Sequence, residues 1–119
     1  MAEMTPWVMP PTYASGTPWV RYDDLDAPLP TEDIAVVREL AADVAEIAAL
    51  PVQQETIGAW EDLNALQPQR PMIQIDEVPW HELRDDPALQ NRCSDLFARS
   101  LETTLRQTLY QWEHMRCDM

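Results

Sequence analysis

The positions of the prolines constrain the fold of this chain more than any other feature. Six of the eleven prolines fall within residues 1–30, and the other five are spread over the rest of the chain. Because proline interrupts a helix when it lies in the interior, helices are confined to the runs between these positions. The pattern predicts a mainly α fold. Its parts are an extended Pro/Trp-rich N-terminal arm, a helical hairpin, one short strand and a long C-terminal helix.

Residues 1–30 differ in composition from the rest of the chain, and we interpret them as an extended arm. The tetrapeptide TPWV occurs twice and places Trp7 and Trp19 in equivalent positions. Proline favours extended backbone, and disordered segments contain few large aromatic side chains. The sequence therefore predicts that the arm docks both tryptophans on another surface. That surface could belong to its own helices, another subunit or a separate domain.

Residues 31–119 are predicted to form a single, mainly helical domain. Apolar residues recur at helical spacing over residues 32–50 and, more weakly, over residues 52–66. With a short connection at Pro51, these two helices are expected to form the hairpin. Thr31 is the expected N-cap of the first helix.

Beyond the hairpin, the sequence predicts a strand at residues 72–75 and a helix over residues 87–115. Asp86 followed by proline is typical of a helix start, although Ser94 with Asp95 could form a second cap that divides the run. Cys93 and Cys117, if both lay on one continuous helix, would be about 36 Å apart. That distance excludes a disulfide between them.

The charge of the chain excludes several classes of partner. Twenty-one acidic residues against eight basic ones give a net charge of -13. Nucleic acids and anionic membrane surfaces both require a basic footprint, so neither is an expected partner. The start of the chain does not have the pattern of a signal peptide, and no apolar run is long enough to span a membrane. We therefore expect a cytoplasmic protein with reduced thiols.

Residues able to carry out chemistry are few. Acidic side chains and His81 cluster at residues 76–82, and His114 lies near the C-terminus. A small metalloenzyme built on these groups is one interpretation, but their spacing matches no named zinc motif. No nucleophile motif and no glycine-rich phosphate loop is present. We expect no metal site and no cofactor in this chain, and we do not expect the chain alone to be catalytic.

Four segments succeed one another in the order AALP, W-x-x-L-N-A-L-x-P-x-R-P, MIQIDEVPWHEL and LETTLRQTLYQWEHMRCDM. This order resembles the N-terminal region of the uroporphyrinogen decarboxylase-like superfamily, in the branch related to corrinoid-dependent methyltransferases. The resemblance covers about residues 35–119. That family folds as a (β/α)8 barrel, which needs about 200 residues or more. The resemblance therefore implies a non-catalytic N-terminal portion or subunit that packs on a barrel or partner chain.

The same resemblance singles out Glu77, Trp80 and His81 as candidate pocket-mouth residues. They come after the predicted strand at its C-terminal end, where barrel enzymes place their active groups. No catalytic residue of the decarboxylases or methyltransferases transfers to a numbered position here. A corrinoid cofactor is implied only together with a barrel that this chain lacks.

The alternative interpretation is a self-contained, acidic, helical module that works by protein–protein contact and could be a homodimer. Antiparallel pairing along the long helix would then bury Leu101, Leu105 and Trp112, while Trp7 and Trp19 would contact a neighbour. Both interpretations predict a protein partner or a missing domain, and neither names a substrate.

Overall fold

Three α-helices form the framework in a computed structural model, which describes residues 28–119. They are α1 (Thr31–Ala48), α2 (Pro51–Asn64) and α3 (Leu96–His114), and a short 3-10 helix, Pro87–Leu89, precedes α3. The predicted mainly helical class is confirmed. The arm lies almost entirely outside the described residues, so the predicted docking of Trp7 and Trp19 remains a prediction.

The residues at the start of α1 and of α2 favour helix initiation there. Acidic Glu32 and Asp33 occupy the first turn of α1, where they interact favourably with the helix dipole. The predicted N-cap was wrong, because Pro30 is the cap residue and Thr31 is already helical. Pro51 ends the first run and begins α2, where its missing N–H costs no hydrogen bond.

The end of α2 carries a strained residue. The N–H of Leu66 donates to the carbonyl of Leu63 at 3.0 Å, and the N–H of Gln67 donates to that of Asp62 at 2.8 Å. This is a Schellman arrangement, which places one residue in the left-handed region. Leu66 holds that position with φ 60°. Glycine normally fills it because it has no Cβ to clash.

Replacing Leu66 by glycine is expected to raise the free energy of unfolding by about 0.5–1 kcal/mol. The left-handed conformation is costly for a residue that has a β-carbon, and the entropy that glycine loses on folding offsets only part of the gain. The side chain contributes little packing, since 88% of its surface is exposed. Urea unfolding measures the change. The matched control is Ala65→Gly, at φ -79°, which should not stabilise the protein. A loss of stability in Leu66→Gly would contradict the assignment.

The principal helix packing joins α1 to α3, whereas α2 makes at most marginal contact with another helix of the described region. The predicted helical hairpin was therefore wrong. Leu40 on α1 and Ala98 on α3 are buried, together with Cys93 and Val78 from the connections. No residue of α2 is buried. α2 comes directly after α1 in the chain but does not share this core.

The predicted strand at residues 72–75 was also wrong, and residues 28–119 contain no strand. The reason is the lack of a partner strand. Ile73 donates its N–H to the carboxylate of Asp118 at 2.7 Å, and its carbonyl accepts from the Asp118 N–H at 3.0 Å. One residue supplies both bonds, so the pairing cannot extend into a ladder.

The long C-terminal helix begins at Leu96, not at residue 87 as predicted. Asp86 caps only the short 3-10 helix, through a bond from the Ala88 N–H. Asp95 then accepts from the N–H groups of Phe97 and Ala98 and starts α3. The second cap that the sequence suggested at Ser94 and Asp95 thus divides the run, because residues 90–95 are held in another conformation.

No helix of the described region combines the length and the apolar character needed to cross a membrane.

Candidate functional site

The structure places the predicted pocket-mouth residues on the connection between α2 and α3. Trp80 packs its ring edge-on against Tyr110 of α3, with 6.1 Å between ring centroids. Glu77 is exposed, and the side chain of His81 lies in solvent, 3.8 Å from Glu82. Within residues 28–119 no three His, Cys, Asp or Glu side chains are placed to hold a metal ion.

The candidate interface on α3 is only partly exposed. Leu101 is 39% exposed, while Leu105 and Trp112 are half-buried. The guanidinium of Arg116 lies over the Trp112 ring, 3.9 Å from its centroid. Pairing of two copies along this helix remains a prediction.

Two buried carboxylates form a dense hydrogen-bond network, which we call the carboxylate junction. It consists of Asp33, Glu102 and the backbone of residues 92–95. Glu102 is completely buried and Asp33 is 4% exposed. Buried carboxylates are rare unless they are hydrogen-bonded or paired. These two are satisfied by the chain itself.

Both oxygens of Glu102 accept from backbone N–H groups, and Oε1 also accepts from a side chain. Its Oε2 accepts from the N–H of Cys93 at 2.8 Å, and both oxygens accept from the N–H of Arg92. Its Oε1 also accepts from Arg106 Nε at 2.8 Å, one helical turn away. Arg106 in turn donates to the carbonyl of Ala88 at 3.2 Å. Glu102 thus ties the loop and the 3-10 helix to α3.

Asp33 performs the same task from α1. Its Oδ2 accepts from the N–H groups of Ser94 and Asp95 at 3.0 and 2.8 Å. The Ser94 hydroxyl lies 3.3 Å from the same oxygen. Four consecutive backbone amides, at residues 92–95, therefore bond to two carboxylates from different helices. The loop is the connection that fixes α1 against α3.

Both carboxylates are stabilised in the charged form. Burial raises the pKa of Glu102, but the Cys93 and Arg92 amides and the Arg106 guanidinium together hold that pKa below its ordinary value. The pKa of Asp33 is also below its ordinary value. The hydrogen bond from the Asp95 amide lowers it most, and the bonds from Ser94 lower it further, although burial raises it. Their lone pairs are occupied by donors of the protein, so neither is placed to act as a general base.

Cys93 lies inside the junction and is 1% exposed. Burial, a hydrogen bond to Glu102 and the nearby Glu102 and Asp33 charges together raise the pKa of its thiol to about 12. A thiol is nucleophilic only when it is deprotonated. Cys93 is therefore a packed core residue, while Cys117 is free and exposed.

Iodoacetamide at pH 8 is expected to modify Cys117 and leave Cys93 intact in the folded protein, because only Cys117 is exposed and Cys93 stays protonated. Intact mass should show one adduct, and peptide mapping should place it on Cys117. In denaturant both cysteines should react, which is the control. Rapid labelling of Cys93 in the native protein would contradict the buried junction.

A second junction lies at the C-terminal end, around Asp118. Arg70 forms a bidentate ion pair with its carboxylate, at 2.6 and 3.0 Å. This pair and the Ile73 N–H lower the pKa of Asp118 to about 2. The carbonyl of Asp118 accepts from Trp60 Nε1 at 2.8 Å. The Trp60 bond attaches α2 to the C-terminal end of the chain, and the Arg70 and Ile73 bonds attach the segment that follows α2.

Large apolar side chains are exposed on α2 and in the segments beside it. Seven large apolar residues are exposed in the described region, and five of them fall within residues 50–73. They are Leu50, Val52, Ile57, Leu66 and Ile73. Val52 and Ile57 border a half-buried stripe that includes Trp60 and Leu63 at helical spacing. We call Leu50, Val52 and Ile57, with the adjacent acids Glu55 and Glu61, the α2 surface.

Neither the carboxylate junction nor the Asp118 junction was identified from the sequence. One signal was available, since Glu102 interrupts an apolar stripe that contains Ala98 and Leu105 on α3. An acid at such a position, with arginine four residues later, indicates a buried pair. Asp33 and Asp118 gave no comparable signal, because acids are frequent throughout this chain.

Comparison of the chain with models of known protein families, with curated proteins and with solved structures found no match in any of the three.

Proposed function

We propose that this chain is a non-catalytic helical module that works by packing the α2 surface against another protein. One observation carries the proposal: α2 contains aliphatic residues but buries none of them, and Val52 and Ile57 are 44% and 48% exposed. An exposed run of aliphatic side chains that is rimmed by polar residues is typical of a protein contact site.

The rest of the described region supports a binding role better than a catalytic one. The two buried carboxylates are saturated by backbone amides, and the buried thiol is protonated. Of the candidate residues, Trp80 packs against Tyr110, whereas Glu77 and His81 are exposed to solvent. The fold joins α1 to α3 through the carboxylate junction and leaves α2 without a buried residue.

The resemblance to the uroporphyrinogen decarboxylase-like superfamily suggests one source for the partner surface. In that interpretation the chain packs on a (β/α)8 barrel, or on another protein that contains one. The exposure of α2 is compatible with that proposal, because a helix of this kind would be covered in the assembled enzyme.

A contact surface can be separated from a core by replacing Ile57 with serine. We expect a change in the free energy of unfolding within about 0.5 kcal/mol, as for a surface site. We also expect weaker binding of the neutral dye Nile red, because exposed aliphatic surface is lost. Dye titration and urea unfolding are measured on the same full-length chain.

Leu101→Ser on α3 is the matched control, since Leu101 is similarly exposed at 39%. It should leave more of the Nile red signal than Ile57→Ser does. Two results would contradict the proposal. One is a dye signal that is unaffected by Ile57→Ser, and the other is a large loss of stability, which would place Ile57 in a core.

A further inference from the structure

We infer that the partner of the α2 surface is a different protein, which offers an apolar surface rimmed by lysine or arginine, and not a second copy of this chain. This inference rests on the proposed function and adds the chemistry of the partner. It is carried by the charges on α2 and on the rest of the chain.

Every charged residue of α2 is acidic. Glu55 lies one turn after Val52, and Glu61 lies one turn after Ile57. Asp62 adds a third negative charge, and no lysine or arginine occurs within the helix. The exposed aliphatic residues are thus bordered by negative charge on both sides.

The nearest arginine in sequence is already neutralised. Arg70 comes after α2 and is paired with Asp118 at 2.6 Å. No other lysine or arginine occurs between residues 39 and 83. The negative rim of the α2 surface therefore has no balancing lysine or arginine in its own segment.

These charges oppose self-association through α2. Two copies apposed at this helix would bring Glu55 and Glu61 of one chain toward the same residues of the other. Like charges across an interface are unfavourable and suppress a pairing, whereas opposite charges steer the partners together. The net charge of -13 adds to the repulsion between copies. A partner with a basic rim removes both penalties.

The probe for the test is a fluorescein-labelled amphipathic peptide of 18 residues with leucine at helical spacing and lysine elsewhere. A second peptide carries the same leucines with glutamate in place of lysine. Anisotropy titrations with the full-length chain give the two dissociation constants. We expect the Leu/Lys peptide to bind at least tenfold more tightly than the Leu/Glu peptide.

Two matched pairs of variants separate the α2 surface from the general negative charge. Glu55→Gln with Glu61→Gln should weaken binding of the Leu/Lys peptide about threefold to tenfold. The control, Glu46→Gln with Glu113→Gln, removes the same charge from exposed positions on α1 and α3 and should have a smaller effect. Ile57→Ser should weaken binding about tenfold, and Leu101→Ser should not.

The outcomes distinguish failure of this inference from failure of the proposed function. One outcome is that Ile57→Ser weakens binding, but the double glutamine variant on α2 and its control on α1 and α3 change the dissociation constant equally. The α2 surface would then be a contact site without charge selectivity, and the inference would be overturned. If Ile57→Ser has no effect on either peptide, the proposed function fails as well.

Other occupants of the α2 surface would give distinct results. A dimeric solution mass that Ile57→Ser reduces to a monomer would show that a second copy covers α2. Tighter peptide binding by the variant with Trp7→Ala and Trp19→Ala would show that the N-terminal arm covers it. Either result would overturn the inference.

Discussion

Replacing Glu102 by glutamine is expected to lower the free energy of unfolding by about 3 kcal/mol, because it removes the buried charge that Arg106 and two backbone amides require. The amide has a single acceptor oxygen, and its NH2 group would face the N–H of Arg92 or Cys93. Arg106, whose side chain is 12% exposed, would also lose its counter-charge. Urea unfolding followed by far-UV circular dichroism measures the loss.

Glu113→Gln provides the control for this variant. It makes the same chemical change on the same helix, but the Glu113 side chain is 75% exposed. Its effect should stay within about 0.5 kcal/mol. Equal effects of the two replacements would show that Glu102 is not part of a buried network. If Glu102→Gln does not fold at 25 °C, unfolding at 10 °C would still rank the two variants.

The second large effect is expected at Asp33. Asp33→Asn should lower the melting temperature at pH 7 by roughly 5–10 °C, because the charged acceptor of the Ser94 and Asp95 amides is lost. Differential scanning calorimetry measures the shift. Asp43→Asn, at an exposed position of the same helix, is the control and should shift the melting temperature little.

The effect of Asp33→Asn should depend on pH in a defined direction. The pKa of Asp33 is lower in the folded protein than its ordinary value of 3.8. Its stabilising contribution is therefore fully present above pH 3.8 and is lost as the pH falls through the folded pKa. The gap between wild type and Asp33→Asn should close in that range. A gap that widens on acidification would contradict the lowered pKa.

The helices could be predicted from the sequence because their signals are local. Proline positions, acids in the first turn of α1 and apolar spacing are all read within one segment. The division before α3 was also visible, since Asp95 is a capping residue regardless of what surrounds it. The error at residues 87–95 arose because apolar spacing continued through a loop that carboxylates hold in place.

The packing could not be predicted because it depends on pairs distant in sequence. Asp33 bonds to the amide of Asp95, 62 residues away, and Asp118 pairs with Arg70 across 48 residues. In a chain with 21 acids, no local feature singles out Asp33 or Asp118 as the carboxylates that make these contacts. The strand prediction failed for the same reason, because a strand requires a neighbour and Ile73 meets only Asp118.

Hydrogen exchange of individual backbone amides, monitored by NMR at pH 7, shows whether Asp33 and Glu102 hold residues 92–95 in place. Residues 92–95 lie outside every helix, yet carboxylates accept from all four of their N–H groups. We expect these amides to exchange as slowly as the interior of α3, and the amides of α2 to exchange faster because that helix has no buried residue. If the amides at 92–95 exchange at the rate of an exposed loop, Asp33 and Glu102 do not hold this segment against α1 and α3.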